Sequence, residues 1–399
     1  MTAEQSISGS PEKVPGRFYS YLNSAVKIIG SYKGEMPLAH FLKNFFSGEK
    51  KFGSKDRKQI AQLCYAYYRL GKDFTDLSFE QRILLGLRTT ADAAAVAWEP
   101  LFEAYQVPQH FSGTVFPWKK QLSPSVDAAL LEQSFLTQPD LFLRIRPGNE
   151  AGVKQKLEAA GISFKLEGDA IRLNNAVKAD TVLDINREVV VQDLSSQQTA
   201  GLLRFFKTLK AHPDSYRGST LQSPISIWDC CAASGGKSLL AWDVLAPAEL
   251  TVSDLRSSII ANLKRRFREA GITSFNALVA DATMSPAPHF RAHFDLVIAD
   301  VPCSGSGTWS RTPERLHYFN TSEIKTYATL QRKILTNLGH AVKPGGFLLY
   351  ITCSVFHAEN EDQVAWLQQR GWKVKEQQVI KGYTLKADTM FGALLQKEQ

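Results

Sequence analysis

Ile225-Ser226-Ile227-Trp228-Asp229-Cys230-Cys231-Ala232-Ala233-Ser234-Gly235-Gly236-Lys237-Ser238 is the stretch on which the fold turns. Ile225 to Trp228 form an apolar, strand-like run that ends at a carboxylate, and two adjacent glycines then lead into a helical pattern. A strand that passes through a glycine turn into a helix lets a ligand's sugar and polar tail come close to the backbone and to a helix N-terminus. A bound nucleoside is the simplest occupant. The turn is not a phosphate-binding P-loop, because Cys231 stands where that loop needs its first glycine, and it lacks the Gly-x-Gly-x-x-Gly of dinucleotide sites.

Downstream, Leu250 to Val252, Leu278 to Val279, Leu296 to Ala299 and Phe347 to Tyr350 repeat the strand pattern with helical stretches between. Such alternation predicts a doubly wound α/β sheet, mostly parallel, with ligands beyond the carboxyl ends of its strands. Asp254 ends the second strand, where it can take both hydroxyls of a ribose. Asp281 follows the third and suits an adenine amino group, or equally caps a helix. Lys237 either neutralises charge developing in the site or merely solvates the start of its helix.

The fourth and fifth strands carry the chemistry. Asp300-Val301-Pro302-Cys303-Ser304-Gly305 leaves one, and Thr352-Cys353-Ser354 leaves the other, so the sheet places Cys303 and Cys353 side by side. A single cysteine is more often a small buried hydrophobe than a nucleophile. A pair in Gly, Pro and Ser turns suggests one thiol to attack and one to release, with Asp300 as the acid between them.

Upstream of the sheet the pattern changes twice. Residues 1–16 are polar and rich in Ser, Pro and Gly, and read as a disordered tail. Residues 17–138 are helical: Leu38, Phe41, Leu42 and Phe45, then Ile60, Leu63, Cys64 and Tyr67, recur at three- and four-residue steps. Lys50, Lys51, Lys55, Arg57 and Lys58 around Gly53 suit phosphates or a solvated loop. Residues 139–191 read as a small α+β module whose Leu141-to-Arg146 strand offers Arg144 and Arg146 either to a nucleic-acid backbone or to solvent. Residues 192–399 hold the sheet, after a loop from His212 to Pro224.

A chain of 399 residues with 44% hydrophobic content supports several buried cores, and its net charge of +8 favours a polyanionic partner. No apolar run approaches a membrane span and the N-terminus lacks a signal-peptide core, so the expected location is the cytoplasm. Five cysteines in no regular spacing argue against a disulfide framework, and neither they nor the eight histidines fall in metal-ligand spacing, so no metal is expected. Oligomeric state is not legible.

Three motifs in order make a resemblance specific. The chain is similar to the Sun/Fmu (RsmB-like) RNA 5-methylcytosine methyltransferases, whose Asp-x-Cys-Ala-Ala-Pro-Gly-Gly-Lys-Thr matches Asp229 through Ser238. Their Asp-Ala-Pro-Cys-Ser-Gly matches Asp300 through Gly305, and their Thr-Cys-Ser matches Thr352 through Ser354. Val191-Gln192-Asp193 with Ser195 and Gln197, Arg311 with Pro313, and Glu359-Asn360-Glu361 also correspond, from about Leu143 onward. Gly53-Ser54-Lys55-Asp56-Arg57 and Tyr65 to Leu70 resemble the NusB-like helical domain of the bacterial rRNA enzymes. Ser234, Ser238 and Val301 depart from the family's proline, threonine and alanine without removing a reacting group. Ser310 and Thr389, in place of an arginine and a glycine, bear instead on RNA contacts.

The resemblance implies a Rossmann-like core that binds S-adenosyl-L-methionine through Cys231, Ala232, Ala233, Ser234, Gly235, Gly236, Lys237, Asp254, Arg256, Asp281, Ala282 and Asp300. It implies Cys353 as the nucleophile on carbon 6 of cytosine, Cys303 as the thiol that assists release, and Asp300 as the group facing ring nitrogen 3. RNA, and ribosomal RNA in particular, is the expected partner. A DNA enzyme would attack with the cysteine of its Pro-Cys turn and has no need of Thr352-Cys353-Ser354. The rivals are a tRNA methyltransferase of the same chemistry and a ribosome-assembly factor that binds RNA without turnover; a protein or small-molecule methyltransferase has no use for paired cysteines. The target base must be unpaired or flipped, with Trp309 or Tyr318 available to stack on it if they are not core.

Overall fold

The structure, a computed structural model of the chain, describes residues 16–398 apart from 50, 75, 91, 92, 112 and 212–223. The expected tail up to residue 15, Lys50, and the expected loop as far as residue 223 therefore lie outside the described residues. Two compact units form.

The first unit comprises Met1–Pro117, Phe135–Thr137 and Trp309–Phe319. Its helices are α1 (Gly16–Ser31), α2 (Leu38–Gly48), α3 (Ser54–Arg69), α4 (Phe79–Thr90) and α5 (Glu99–Ala104). The three- and four-residue spacing read from the sequence turns Leu38 and Leu42 of α2 and Ile60, Leu63, Cys64 and Tyr67 of α3 into one apolar core. Lys55 and Lys58 stay exposed at the start of α3, whereas Arg57 donates to the Phe52 carbonyl and Lys51 lies near Glu49.

The second unit begins with α6 (Ala128–Phe135, its last residue counted in the first unit). A four-stranded antiparallel sheet follows, built from β1 (Leu141–Ile145), β2 (Lys165–Glu167), β3 (Ala170–Leu173) and β4 (Val189–Val191) in the order β2-β3-β1-β4. Helix α7 (Glu150–Ala159) covers one face, packing Val153 and Leu157 on Leu143, Ile171 and Val189. The other face carries a correction. Arg144 and Arg146, expected to face phosphates or solvent, are only 6% and 9% exposed. Both hold Asp243, at 2.6 and 2.7 Å. The strand's alternation separates two faces, but it does not say that a carboxylate about a hundred residues downstream closes over the polar one.

Helices α8 (Leu194–Gln198) and α9 (Ala200–Ala211) lead into the large sheet. Strand β5 (Ile225–Asp229) is followed by α10 (Gly236–Leu245), β6 (Ala248–Asp254), α11 (Ser257–Glu269), β7 (Asn276–Val279) and β8 (Phe294–Asp300). After β8 the chain passes into the first unit, where α12 (Glu314–Tyr318) seats Glu314 on the backbone N–H of Leu38, at 3.0 Å. Trp309 is fully buried there against Phe116, Phe135 and Phe319, and Tyr318 lies among Tyr32 and Tyr68 with its hydroxyl on the Tyr32 carbonyl. Both aromatics are core, which removes them as stacking platforms. Helix α13 (Ser322–Gly339), β9 (Val342–Thr352), α14 (Glu361–Gln368), β10 (Trp372–Ile380) and β11 (Met390–Lys397) complete the unit.

The sheet order is β10-β11-β9-β8-β5-β6-β7. Neighbours from β7 to β9 run parallel, and β11 and β10 add an antiparallel extension that the strand–helix alternation does not announce. Side-chain alternation divides the strands between two layers. Ile227, Val252, Ile298 and Ile351 pack with α9, α10 and α11, while Trp228, Val297, Ala299 and Tyr350 pack with α13 and α14. The order reverses across β5 and β8, which opens the crevice at their carboxyl ends that α/β sheets use for ligands.

Candidate active site

Two sets of side chains meet at that crevice. One belongs to the turn after β5. Gly235 has φ of 83°, a left-handed conformation, and a Cβ there would lie 2.7 Å from the Phe267 ring, so glycine is required on both counts. Ala233 also takes positive φ, at 45°. The turn is tied down by backbone bonds from Ala232 N–H to Ser253 O and from Gly235 N–H to Ala232 O, and Arg266 donates to the carbonyl and hydroxyl of Ser234. Cys231 is partly exposed, its sulfur 3.8 Å from the buried thiol of Cys230.

Carboxylates ring this turn. Asp254, past the middle of the sheet, accepts from the backbone N–H groups of Ala233 and Arg256 and from the Arg256 guanidinium. Burial pushes its pKa up, but those bonds outweigh burial and leave it below the usual carboxylate range. Arg256 is 62% exposed at its side chain, so it can swing aside for a diol. Asp281 accepts from the Thr283 N–H in a tight turn, which lowers its pKa, and Ala282 is partly buried on the sheet. Beneath them Asp229 is fully buried on the Ser238 hydroxyl at 2.5 Å, and burial raises its pKa to about 7.

The second set lies where β8 and β9 end. Register pairs Asp300 of β8 with Ile351 of β9, so the two cysteine turns leave neighbouring parallel strands together. The neighbouring Cys303 side chain, then burial and the Asp300 carboxylate, push the Cys353 thiol well above its ordinary value, and Lys237 opposes the rise. Lys237 ion-pairs with Asp300 at 3.2 Å. Burial disfavours its charge, yet Asp300, Cys353 and Asp229 prevail and raise its pKa, so the ammonium is a fixed cation beside the thiols. This arrangement can form a thiolate, deliver a proton from a carboxyl group and take another on the thiolate of the second cysteine.

One member of the site escaped the sequence. Lys237 Nζ also donates to the Ser196 hydroxyl at 2.7 Å, and Gln192 donates to the same oxygen at 2.9 Å. The motif around Gln192 pointed to Ser195 and Gln197, one position to either side. Ser195 instead donates to the Asp388 carbonyl and Gln197 to the Gln192 carbonyl. Among the described residues, no group of three or more His, Cys, Asp or Glu is placed to hold a metal, and no helix is long and apolar enough to cross a membrane.

The fold defines a Rossmann-like α/β domain. Residues 220–394 match the family described as 16S rRNA methyltransferase RsmB/F. Ribosomal RNA small subunit methyltransferase B of Xylella fastidiosa is 29% identical over 254 residues, 62% of this chain and 53% of that protein. The tRNA (cytosine(72)-C(5))-methyltransferase NSUN6 of Mus musculus is 34% identical over 152 residues, 35% of this chain and 31% of that protein. The chain thus spans about half the length, or less, of these relatives. The crystal structure of PH0851 shares the fold across 97% of this chain and all of that one, with TM-score 0.67 and 17% identity. NSun6 from Pyrococcus horikoshii, solved with SFG, shares it across 72% of this chain and 99% of that one, with TM-score 0.56 and 14% identity.

Proposed function

We propose that the chain is an S-adenosylmethionine-dependent RNA cytosine carbon-5 methyltransferase that acts on ribosomal RNA. The observation that carries this reading is the neighbouring pair Cys303 and Cys353 beyond adjacent strand ends, with Asp300 and Lys237 beside it. A methyltransferase with a ready nucleophile as its acceptor needs no thiol, and one with a single covalent step needs one; two fit attack and release on a pyrimidine. The family match and the name of the Xylella relative support ribosomal RNA, and the NSUN6 relatives keep tRNA as the second reading. Free thiols on all five cysteines suit the cytoplasm.

The turn and its carboxylates fit the cofactor. The tight backbone from Cys231 to Lys237 suits an amino-acid tail, Asp254 a ribose diol, Asp281 with Ala282 an adenine edge, and the acidic rim a sulfonium cation. When bound, the cofactor supplies an electrophilic methyl group.

The chain's own groups do the rest. The proton leaving Cys353 passes to Asp300, and Lys237 stabilises the thiolate left behind. Cys353 sulfur bonds to carbon 6, the electron pair of the carbon 5–carbon 6 double bond moves into the ring, and Asp300 places its proton at nitrogen 3. Once carbon 5 carries the methyl group, Cys303, its thiol proton given up to water, removes the carbon-5 proton as thiolate. The freed pair restores the double bond, the bond from carbon 6 to sulfur breaks, and Cys353 leaves as thiolate while nitrogen 3 returns its proton to Asp300.

The test is transfer of labelled methyl into unmodified small-subunit rRNA, with tRNA in parallel. Label in rRNA carbon 5 is the expected result. Label in tRNA alone establishes the second reading, and RNA binding without transfer to either establishes an assembly factor instead.

A further inference from the structure

The β8–β9 ladder ends at Asp300 and Ile351, yet both thiols lie beyond it, so strand pairing does not set the distance between them. Two backbone bonds continue past the ladder, from Val301 N–H to Ile351 O and from Gly307 N–H to Cys353 O, at 3.1 and 2.8 Å. The other ties converge on a single carboxylate. Glu359 is fully buried. It accepts from the backbone N–H of Ser304, the residue after Cys303, at 2.8 Å. It also accepts from the hydroxyl of Ser354, the residue after Cys353, at 2.8 Å. Gln331 donates both to this carboxylate, at 3.2 Å, and to the Pro302 carbonyl, at 3.1 Å. Tyr350 fixes the Glu359 backbone by donating to its carbonyl at 2.5 Å. The Ser304, Ser306 and Ser354 hydroxyls close the cluster at 3.1 to 3.2 Å.

We propose that Glu359 is the positioning residue that sets the spacing of the two thiols, holding the Cys303 turn through Ser304 and the Cys353 turn through Ser354. The chemistry of the group explains why a carboxylate stands there. Burying it is costly, and burial raises its pKa against the pull of its hydrogen bonds. Only an acceptor on both oxygens satisfies Ser304 N–H and Ser354 O–H together, since a glutamine must turn its NH2 donors toward one of them. The kinetic consequence rests on the methyltransferase reading. Attack on carbon 6 needs Cys353 alone, whereas release needs Cys303 within reach of carbon 5 while Cys353 is still bonded to carbon 6. An error in spacing therefore falls on release.

Dibromobimane, which fluoresces when it bridges two neighbouring thiols, reads the spacing without RNA or cofactor. In the full chain the expected bridge is Cys303 to Cys353, located by peptide mass. Glu359→Gln slows that bridging about tenfold, lowers kcat for rRNA by a similar factor at unchanged KM, and accumulates the covalent protein–RNA adduct. Ser354→Ala, which removes one hydroxyl and spares the carboxylate, moves every readout the same way by less and serves if Glu359→Gln fails to fold. Wild-type bridging rates in a folded variant overturn the proposal, as does a KM change with no accumulated adduct in a chain that methylates. Slowed bridging in a chain that transfers no methyl keeps the spacing role and removes the methyltransferase reading instead.

Discussion

Two buried charge clusters in the second unit differ in how completely they are closed. Asp243 has a side chain 5% exposed, and Arg144 holds one of its oxygens while Arg146 holds the other. Both Asp243 oxygens are taken, so the cluster acts as a clasp between the small sheet and α10. Lys237 and Asp300 make the opposite arrangement. They pair at 3.2 Å, but the Asp300 carboxyl is a quarter exposed and Cys353 lies alongside. Burial strengthens the electrostatics in both places, and at the second the quarter-exposed Asp300 carboxyl leaves a side on which a substrate can complete the set. One residue joins them: Gln192 accepts from Arg144 at 2.8 Å and donates to Ser196, which holds Lys237. The lesson is that a buried carboxylate with both oxygens taken supports structure, whereas one left partly exposed beside a thiol can support chemistry.

Substitution can break that contrast, and the largest effect belongs to the thiols. Cys353→Ala abolishes methyl transfer, a fall on the order of 10⁴-fold or more, and forms no adduct. Cys303→Ala attacks but does not release, so a protein–RNA adduct survives denaturing electrophoresis. An adduct from Cys353→Ala instead reverses the two roles. Next comes the closed cluster. Asp243→Ala leaves two buried guanidinium groups without their shared anion and costs about 3–5 kcal/mol, read as a fall in denaturation midpoint. If the open cluster is the reactive one, Lys237→Met costs far less stability and about 10²-fold in kcat, near 2.7 kcal/mol of barrier. Its sign in pH is defined. Lys237 lowers the pKa of a Cys353 thiol that is otherwise raised, so adduct formation climbs as pH rises above neutrality. Removing the ammonium shifts that climb to higher pH. A profile that stays in place assigns the thiolate's stabilisation to another group.

The difference between the clusters also explains what the sequence revealed. Asp300, Cys303 and Cys353 were legible because each follows an apolar run at a strand end, and a doubly wound sheet brings such ends together whatever the loops do. Arg144 and Arg146 were misread because their partner, Asp243, lies on a helix whose local pattern gives no hint of a clasp. Trp309 and Tyr318 look like open-loop aromatics, yet their segment packs into the helical unit, a long-range choice that periodicity does not carry. The antiparallel strands β10 and β11 were obscured in a similar way, since β10, at a sheet edge, buries only Trp372 and Ile380 and lacks an apolar run.

The smallest effect tests the join itself. Ser196 is one hydroxyl between Gln192 and Lys237, and it accepts from both, so it neither reacts nor carries charge. Ser196→Ala leaves Lys237 its ion pair with Asp300 and a weak 4.0 Å contact to the Met390 sulfur, and the ammonium settles further onto that carboxylate and away from Cys353. Losing one hydrogen bond from a charged donor is worth about 1.5–3 kcal/mol in full, and less here because Asp300 recovers part of it. The expected outcome is a fall of about threefold to tenfold in the rate of adduct formation, with the release step and the denaturation midpoint nearly unchanged. Ser196→Thr restores the acceptor and should restore the rate. An equal loss in Ser196→Ala and Ser196→Thr would mean that the hydroxyl is packing rather than an acceptor, and that the two clusters are neighbours without being coupled.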